Sequence, residues 1–416
     1  MTDNCGKSRK PFCGACPTYQ DCTANQCVCT ETDATFCSLH SAACGRLSAV
    51  DECGQQRTVA SCGDCTTPSS CGGGGAPNQC GCTGETDAEL CTQAGAQCGV
   101  SSVSDRCGVW RYPNCGTCAA PLLCAGNGTQ NKCEPGWSTV TPPTGAKVLW
   151  GLWGRAANDV WGVGDYGTVI HWTGTQWNNV TSAASKALFA AWGPASGTAI
   201  WAVGQKGTIL HAEPSASTLA TVPSAADLYG VWGSSADDVW AVGDGGTILH
   251  WQGTAWTAVT SPTTGDLRAV WGSGPNDVWA AGGSPSWAGL LLRWQGSSWV
   301  EVTCPAPSPL YAIWGLSSTD LWVAGAQGTP YHWNGSTWTP AFTGIPQSIT
   351  GLWGSGPNDV WAVGGSGTAL HWDGVEFKPT QNPGAALSQV WGSSKSDVWI
   401  VGGYVGAVPA ILRRQE

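Results

Sequence analysis

Histidines at a regular spacing are the residues of this chain that could most readily bind a metal ion or transfer a proton. They occupy one position in five copies of a repeat of about 40 residues, and an arginine takes that position in two further copies. The members are His171, His211, His250, His332, His371, Arg293 and Arg413. An aspartate precedes this position in six of the seven copies, as Asp159, Asp238, Asp277, Asp320, Asp359 and Asp397. Whether these columns form a site or a scaffold depends on the fold that carries them.

The repeat predicts a β-propeller. A Trp-Gly pair recurs in every copy, at Trp153, Trp192, Trp232, Trp271, Trp314, Trp353 and Trp391. Each copy contains four strand-like runs, such as "LRAVWG", "VWAVG", "TILHW" and "WTAVTS", separated by turns rich in glycine. A period near 40 residues with four strands per unit is typical of propeller blades. The expected fold class is all-β, with a seven-bladed β-propeller over residues 135–416.

The two ends of the array indicate how the ring closes. The last copy ends at "ILRRQE" without a fourth strand, and an isolated strand-like run, "GWSTVTPPTG" around Trp137, precedes the first copy. This run is expected to be the fourth strand of the seventh blade. Closure of this kind would leave no exposed sheet edge between the first and last blades.

The repeat "VWGSGPNDVWAVGGSGTALHWDG" resembles the YCF48-like and Asp-box (BNR) propeller repeats. The resemblance covers residues 135–416 and implies the fold. It departs at the hairpin, because an Asp-box runs S-x-D-x-G-x-T-W, whereas this chain has "WDGVEF" or "WQGTAW". Photosystem assembly factors, lectins and sialidases belong to such families, so the resemblance does not choose among functions.

Propeller geometry weakens the hypothesis that the histidines share metal ions. The third strand of a blade lies on the order of 15 Å from the axis, which would separate neighbouring histidines by ~13 Å, whereas N–metal bonds are ~2.1 Å long. All five histidine blades have a short "xxGT" turn, and both arginine blades have a longer one. The histidines are therefore expected to hydrogen-bond that turn, and their position resembles the Gly-His histidine of WD40 blades. The aspartates are expected to bond backbone N–H groups of their own turns, with a cation-binding carboxylate ring as the alternative.

A variable column is the candidate binding site. It lies three residues before each Trp-Gly tryptophan and reads Trp150, Phe189, Tyr229, Arg268, Tyr311, Thr350 and Ser388. Columns that are constant in all blades serve packing, whereas a varying column can carry one asymmetric function. These residues are expected to ring the mouth of the central channel. Asp227 and Asp266 should stand beside them, and two long loops with Trp287 and Tyr404 should open on the same face. The alternative is that the column packs against its own loops.

Aromatic faces mixed with a few Asp, Arg and Ser groups suit sugar rings, which present C–H patches and hydroxyls. The expected function is therefore lectin-like binding of a glycan or cell-wall polysaccharide. A protein-interaction or structural role on the propeller rim is the alternative. Glycoside hydrolysis needs two suitably spaced carboxylates, and only Asp227 and Asp266 are candidates at the mouth. A sialidase-like site would need three converging arginines, and the column holds only Arg268. Neither catalysis nor a cofactor or metal is expected.

The cysteines predict separate N-terminal modules in an oxidising compartment. All but Cys304 of the 22 cysteines precede residue 134. Residues 30–82 form one module, residues 83–134 a second, and residues 1–29 a partial copy; the complete module contains Cys37, Cys44, Cys53, Cys62, Cys65, Cys71, Cys80 and Cys82. Such density predicts disulfides, with zinc at the "CGDC"-type pairs as the rival. The first two cysteines of a module are expected to pair with each other, and Cys304 could pair with the leftover thiol of the last module.

The pattern "ETDATFC…CG…DECG…R…CGDC…CGGGG" resembles cysteine-rich modules that accompany polysaccharide-active domains in secreted myxobacterial proteins.

Only 11% of residues are charged, the net charge is −10, and no Lys/Arg run occurs, which argues against nucleic acid and anionic membranes as partners. No apolar run reaches the ~18 residues of a membrane span. No signal peptide precedes Asp3, so a secreted or outer-surface location is inferred from the cysteines alone.

Overall fold

The computed structural model describes residues 20–23, 26–29, 31–51, 54–67, 69–72, 77–119, 122–124, 131–380, 384–405 and 408–415. The chain divides into two compact units, residues 1–117 and 118–416. The second unit contains seven four-stranded antiparallel sheets. The expected all-β, seven-bladed propeller is therefore confirmed.

From the axis outward, each blade has an innermost, a second, a third and an outermost strand. In that order, blade 1 contains Leu149–Ala156, Asp159–Gly164, Val169–Trp172 and Trp177–Asn179; blade 2 contains Leu188–Trp192, Ile200–Gly204, Ile209–Ala212 and Ser217–Leu219; blade 3 contains Leu228–Ser235, Asp238–Gly243, Ile248–Trp251 and Trp256–Ala258. Blade 4 contains Asp266–Gly274, Asp277–Gly283, Gly289–Trp294 and Trp299–Val302; blade 5 contains Leu310–Ser317, Asp320–Gly325, Tyr331–Trp333 and Trp338–Pro340. Blade 6 contains Ile349–Gly356, Asp359–Gly364, Ala369–Trp372 and Phe377–Pro379; blade 7 contains Leu387–Ser394, Asp397–Val405, Val408–Gln415 and Ser138–Thr139.

The N-terminal strand closes the ring as expected. Ser138 pairs with Arg413 and Thr139 with Leu412, which makes Ser138–Thr139 the outermost strand of blade 7. The preceding Trp137 is buried, and its ring packs edge-on against Trp361 of blade 6 at 5.2 Å. The first strand of the propeller and its last strands therefore belong to one sheet.

The Trp-Gly pairs form a continuous contact around the ring. Each tryptophan packs on the glycine of the next blade: a Cβ placed on any of these seven glycines would lie 2.4–3.0 Å from the neighbouring indole. The contacts are Trp153 on Gly193, Trp192 on Gly233, Trp232 on Gly272, Trp271 on Gly315, Trp314 on Gly354, Trp353 on Gly392 and Trp391 on Gly154. Glycine follows tryptophan in every blade because only glycine leaves room for the adjacent indole.

In six blades, the histidine or arginine of the third strand binds the aspartate that begins the second strand. In blade 3, His250 Nε2 lies 2.5 Å from Asp238 Oδ1, and the imidazole stacks on Trp240 with ring centroids 3.8 Å apart. In blade 4, Arg293 Nε donates to Asp277 Oδ1 at 2.7 Å. The same contact joins His171 to Asp159, His332 to Asp320, His371 to Asp359 and Arg413 to Asp397. The expectation that the histidines bond the "xxGT" turn is therefore wrong; their partner is the aspartate column.

Blade 2 lacks this contact. Ala199 stands where the other blades have aspartate, and His211 contacts the Trp201 ring at 4.6 Å without a hydrogen bond to any described residue. Arg155 of blade 1 reaches across instead, and its guanidinium donates to the carbonyl oxygens of Pro194 and Ala199 at 3.0 and 2.8 Å. Burial lowers the pKa of His211, and the nearby Glu213 opposes that shift without overcoming it.

The described N-terminal unit consists of short hairpins and two helices. The helices are Asp33–Leu39 and Asp87–Gln93, and the side chains of Thr32 and Thr86 cap their first turns. The paired strands are Gln20–Thr23 with Gln26–Cys29, Leu47–Val50 with Gln56–Val59, Ser70–Cys71 with Cys80–Gly81, and Val103–Ser104 with Trp110–Arg111. Leu122–Cys124 pairs with Cys133–Pro135 at the start of the second unit.

Disulfides hold these small elements together, as the cysteine density predicted. Within one module the bonds are Cys37–Cys62, Cys44–Cys71 and Cys65–Cys80; the next module contains the equivalent bonds Cys91–Cys115 and Cys118–Cys133, and its Cys98 and Cys124 are also disulfide-bonded. The expected pairing of a module's first two cysteines is wrong, since Cys37 and Cys44 bond elsewhere. Cys82 bonds Cys107 and thereby joins consecutive modules, while Cys53 and the cysteine side chains of residues 1–29 lie outside the described residues.

Cys304 is a free thiol, so the pairing with the leftover thiol of the last module, which the sequence left open, does not form. Its Sγ donates to the carbonyl oxygen of Ala306 at 3.8 Å, and burial raises the pKa of the thiol.

Candidate functional site

The innermost strands begin on the same face of the propeller as the turns between second and third strands. In blade 1, Leu149 pairs with Gly164, and the next amide, Asp165 N–H, donates to the carbonyl oxygen of Val148 at 2.9 Å. The connection from each outermost strand to the next innermost strand also ends on this face. We call it the mouth face.

A cavity of about 540 Å³ opens at the centre of the mouth face. All seven residues of the variable column line it: Trp150, Phe189, Tyr229, Arg268, Tyr311, Thr350 and Ser388. Deeper walls are formed by small and aliphatic residues of the same strands, such as Leu352 and Ile313. The volume lies within the range of about 300–1,000 Å³ of small-ligand sites. The column therefore forms one concave surface rather than packing only against its own loops.

One arc of the cavity is a stack of side chains from three consecutive blades. The rings of Phe189 and Tyr229 are stacked at 5.2 Å with an interplanar angle of 15°. The guanidinium carbon of Arg268 lies 3.9 Å from the centroid of the Tyr229 ring, in cation–π contact. Because each member is held by its neighbour, the arc is a fixed wall.

Two aspartates hold the arginine end of this wall. The guanidinium of Arg268 donates to Asp266 at 2.8 Å and lies 3.4 Å from Asp244, which in turn accepts the Tyr229 hydroxyl proton at 3.2 Å. Burial raises the pKa of Asp244, and the carboxylates of Asp266 and Asp227 add to that shift, while Arg268 opposes it. Burial likewise raises the pKa of Tyr229. Among the described residues, Arg268 is thus the one charged residue that lines the central cavity, and two carboxylates engage it.

Trp150 presents an accessible indole beside the Phe189 end of the wall. Its side chain lines the cavity, yet the residue is 40% exposed. The indole N–H donates to Asp165 Oδ1 at 2.7 Å, which fixes the orientation of the ring. A tryptophan held at its edge, with its surface accessible to solvent, can pack against the face of a ligand.

The opposite arc is polar and partly unpaired. Thr350 is committed to the scaffold, because its hydroxyl donates to the carbonyl oxygen of Leu387 at 2.9 Å. Tyr311 and Ser388 line the cavity and make no side-chain hydrogen bond to any described residue. Their hydroxyls are therefore available to a ligand.

A second cavity of about 550 Å³ adjoins the first at blade 4. It is lined by Asp266 and by the long loop that carries Pro285 and Trp287, and it shares Arg268 and Tyr311 with the central cavity. Trp287 is 76% exposed and adopts the left-handed backbone conformation, with φ of 65°.

The other two predicted ligand residues line neither cavity. Asp227 accepts the backbone N–H of Lys206 at 2.7 Å and so caps a turn of blade 2. Tyr404 lies in the long hairpin of blade 7 and is 52% exposed. Sequence reasoning missed the supporting residues Asp165 and Asp244. The available signal was an acidic residue opening the turns "DYGT" and "DGGT", where blade 2 has Gln205.

Exposed aromatic residues of the described propeller are confined to one face. Trp150 stands at the start of an innermost strand, Tyr166, Trp287 and Tyr404 lie between second and third strands, and Phe342 lies between an outermost and an innermost strand. All five positions belong to the mouth face. The mouth face therefore carries the most exposed aromatic side chains of the described propeller.

Comparisons with known proteins agree with the fold. YCF48 from Cyanidioschyzon merolae superposes with a TM-score of 0.54 at 17% identity, covering 67% of this chain and 98% of that one. A YCF48 bound to D1 peptide gives 0.54 at 16% identity, with 67% and 96% covered. The WD40 repeats of RRP9 give 0.57 at 10% identity, with 67% and 97% covered. No protein-family model and no curated protein matches the sequence.

These similarities show the seven-bladed propeller fold. In the part of the chain that the structure describes, no helix is long and apolar enough to cross a membrane.

Proposed function

We propose that the chain is a carbohydrate-binding protein whose propeller mouth binds an uncharged glycan without catalysing a reaction on it. The observation that carries this proposal is that one cavity combines an accessible, oriented indole, Trp150, with the unpaired hydroxyls of Tyr311 and Ser388 on its polar arc. A sugar ring offers a C–H face to the former and hydroxyls to the latter. Because the aromatic wall is already fixed, little side-chain entropy is lost on binding.

The charges at the mouth favour an uncharged ligand. Asp244 and Asp266 both engage the guanidinium of Arg268, and Asp227 lies near enough to raise the pKa of Asp244. Asp165 adds another carboxylate beside Trp150. No cation of the mouth column is left over to pair with a carboxylate or sulfate of an anionic polymer, and like charges in proximity are costly.

Binding without catalysis is supported by the state of the carboxylates. Asp266 accepts hydrogen bonds from Arg268 and from the backbone N–H of Gly245, and Asp227 accepts that of Lys206. These contacts commit both carboxylates to the scaffold, whereas a general acid and a nucleophile must be directed at the scissile bond. The disulfide-rich N-terminal unit further supports a location outside the cell, where such bonds persist.

A peptide partner at the same mouth is the second candidate. It is favoured by the similar propeller of YCF48, which is described as bound to D1 peptide. A peptide could place an apolar side chain against the Phe189–Tyr229 wall. This candidate would not require the free hydroxyls of Tyr311 and Ser388.

The experiment is a binding panel on the full-length, oxidised protein. Soluble neutral polysaccharides (glucans, mannans, galactans and xylans) and anionic polyuronates are compared by affinity electrophoresis and calorimetry. We expect at least one neutral polymer to bind, with the affinity reduced roughly tenfold by Trp150→Ala. Phe342→Ala is the matched control, because Phe342 is exposed on the same face but lines neither cavity.

A second variant, Tyr311→Phe, tests whether the ligand uses the Tyr311 hydroxyl. Tyr311→Phe keeps the ring and removes only the unpaired group, so it should weaken glycan binding and leave a peptide largely unaffected. Binding of polyuronates but of no neutral polysaccharide would contradict the proposal. Glycan binding that Trp150→Ala leaves unchanged would exclude the proposed site.

A further inference from the structure

The second cavity extends the mouth toward blade 4. The hairpin from the tryptophan of the second strand to the histidine-or-arginine position of the third is longer in blades 4 and 7 than in the other five blades. In blade 4 the loop stands over a cavity of about 550 Å³ that reaches from Trp287 to Arg268 and Tyr311. The mouth is therefore asymmetric, with an outlet at blade 4.

The two cavities share a wall. Arg268 and Tyr311 line both, so a ligand in the central cavity and a ligand in the blade 4 cavity would touch the same two side chains. Asp266, which fixes Arg268 at 2.8 Å, also lines the blade 4 cavity. Each cavity falls within the volume range of a small-ligand site, about 300–1,000 Å³.

The blade 4 loop is ordered around Trp287 at a conformational cost. Trp287 N–H donates to the carbonyl oxygen of Ser284 at 2.9 Å, and Ala288 N–H donates to the Ser284 hydroxyl at 3.2 Å. These bonds hold Trp287 in the left-handed region, which is unfavourable for a bulky residue. Because the Trp287 side chain is exposed, its burial in the free protein does not offset the backbone strain. Backbone strain of this kind concentrates at ligand-binding sites.

The chemistry of the second cavity repeats that of the first. Pro285, Pro309 and the indole of Trp287 offer apolar C–H and ring surfaces, and Asp266 and Arg268 offer hydrogen-bonding groups. Apolar faces interleaved with polar groups suit another sugar ring. Nothing in this cavity resembles a sheet edge onto which a peptide strand could be added.

We propose that the glycan is a linear chain that occupies two subsites, one in the central cavity against Trp150 and one in the blade 4 cavity against Trp287. This inference rests on the proposed function and deepens it. The chain passes over the shared wall of Arg268 and Tyr311. Affinity should therefore depend on chain length, because only an oligomer long enough to cross that wall fills both subsites.

The test is a length series on the full-length, oxidised protein. Linear oligomers of one to six residues from glucans, mannans, galactans and xylans are titrated by calorimetry. We expect affinity to rise roughly tenfold at the length that first reaches the second subsite. Trp287→Ala should abolish that rise, Trp287→Phe should restore part of it, and Trp150→Ala should weaken oligomers of every length. Phe342→Ala again serves as the control.

The outcomes separate the two claims. Binding that depends on Trp150 but shows no gain with length, or a gain that survives Trp287→Ala, overturns the two-subsite inference and leaves the proposed function standing. Failure of every oligomer and polysaccharide to bind overturns both. A gain with length that disappears only in Trp287→Ala supports both.

Discussion

The indole of Trp391 in the last blade lies against Gly154 of the first, such that a Cβ on Gly154 would be 2.7 Å from Cη2 of Trp391. This contact is the closing member of the seven Trp-Gly contacts that run around the ring. Blade 7 is also the sheet that holds both ends of the propeller chain. The stability of the whole ring therefore depends on a glycine that lies outside both mouth cavities.

Gly154→Ala should destabilise the propeller. The added methyl group overpacks the interface between blades 7 and 1, and overpacking typically costs about 1–3 kcal/mol. Gly274→Ala is the matched control, since Gly274 lies in an innermost strand with nothing within 4 Å of its Cβ position. Denaturant unfolding of both variants measures the difference. Equal unfolding free energies for the two variants would show that the interface between blades 7 and 1 is loosely packed and has room for a methyl group.

The unpaired His211 should make stability depend on pH. Burial lowers its pKa in the folded state below the ordinary value of 6.5, so the unfolded chain takes up the proton first as the pH falls. The contribution of His211 to stability is therefore present above pH 6.5 and lost as the pH falls through the folded-state pKa. Melting temperatures at about pH 7 and about pH 5 should differ less in His211→Gln than in the wild-type protein. If the difference in melting temperature between the two pH values is the same in both proteins, other titratable groups cause the pH dependence.

Neutralising the mouth should alter its charge selectivity. In the double variant Asp227→Asn/Asp244→Asn, the amide oxygens can still accept the bonds from Lys206 N–H and Tyr229 O–H, but two negative charges are gone. We expect the ratio of polyuronate affinity to neutral glycan affinity to rise several-fold at low ionic strength and to rise less in high salt. Calorimetry at both salt concentrations measures this ratio. A ratio that does not change would mean that charge does not select the ligand.

Two substitutions of Trp287, to glycine and to alanine, should differ in their effect on stability but not in their effect on binding. Trp287→Gly and Trp287→Ala both remove the indole, but only glycine relieves the left-handed backbone at φ of 65°. We expect the glycine variant to be more stable than the alanine variant by about 1 kcal/mol and equally poor at binding long oligomers. Unfolding curves and calorimetry on the same two proteins test both parts. Equal stability would indicate that the loop relaxes when the indole is lost.

The repeat allowed much of the fold and of the mouth to be predicted from sequence, because seven copies expose which positions vary. Trp150, Phe189, Tyr229, Arg268 and Tyr311 meet in one cavity because equivalent positions of equivalent strands face a common axis. The blade count and the closing strand follow from the same periodicity.

The partner of the histidines was mispredicted because turn length was weighed above strand register. His171 pairs directly opposite Trp161, and Asp159 lies two residues before Trp161 on the same face of its strand. A diagonal contact between His171 and Asp159 follows from that register. Cysteine connectivity could not be derived at all, because spacing alone does not fix which of many pairings forms. Asp165 and Asp244 were missed because their contacts join a turn to a strand 15 residues away in sequence.

Glycan binding at the mouth is best tested by a structure of the full-length protein with a bound neutral oligosaccharide. We predict a sugar ring in van der Waals contact with the Trp150 indole, hydrogen-bonded to the hydroxyls of Tyr311 or Ser388. An oligosaccharide bound on the N-terminal modules or on the opposite face of the propeller, with the central cavity empty, would contradict this prediction.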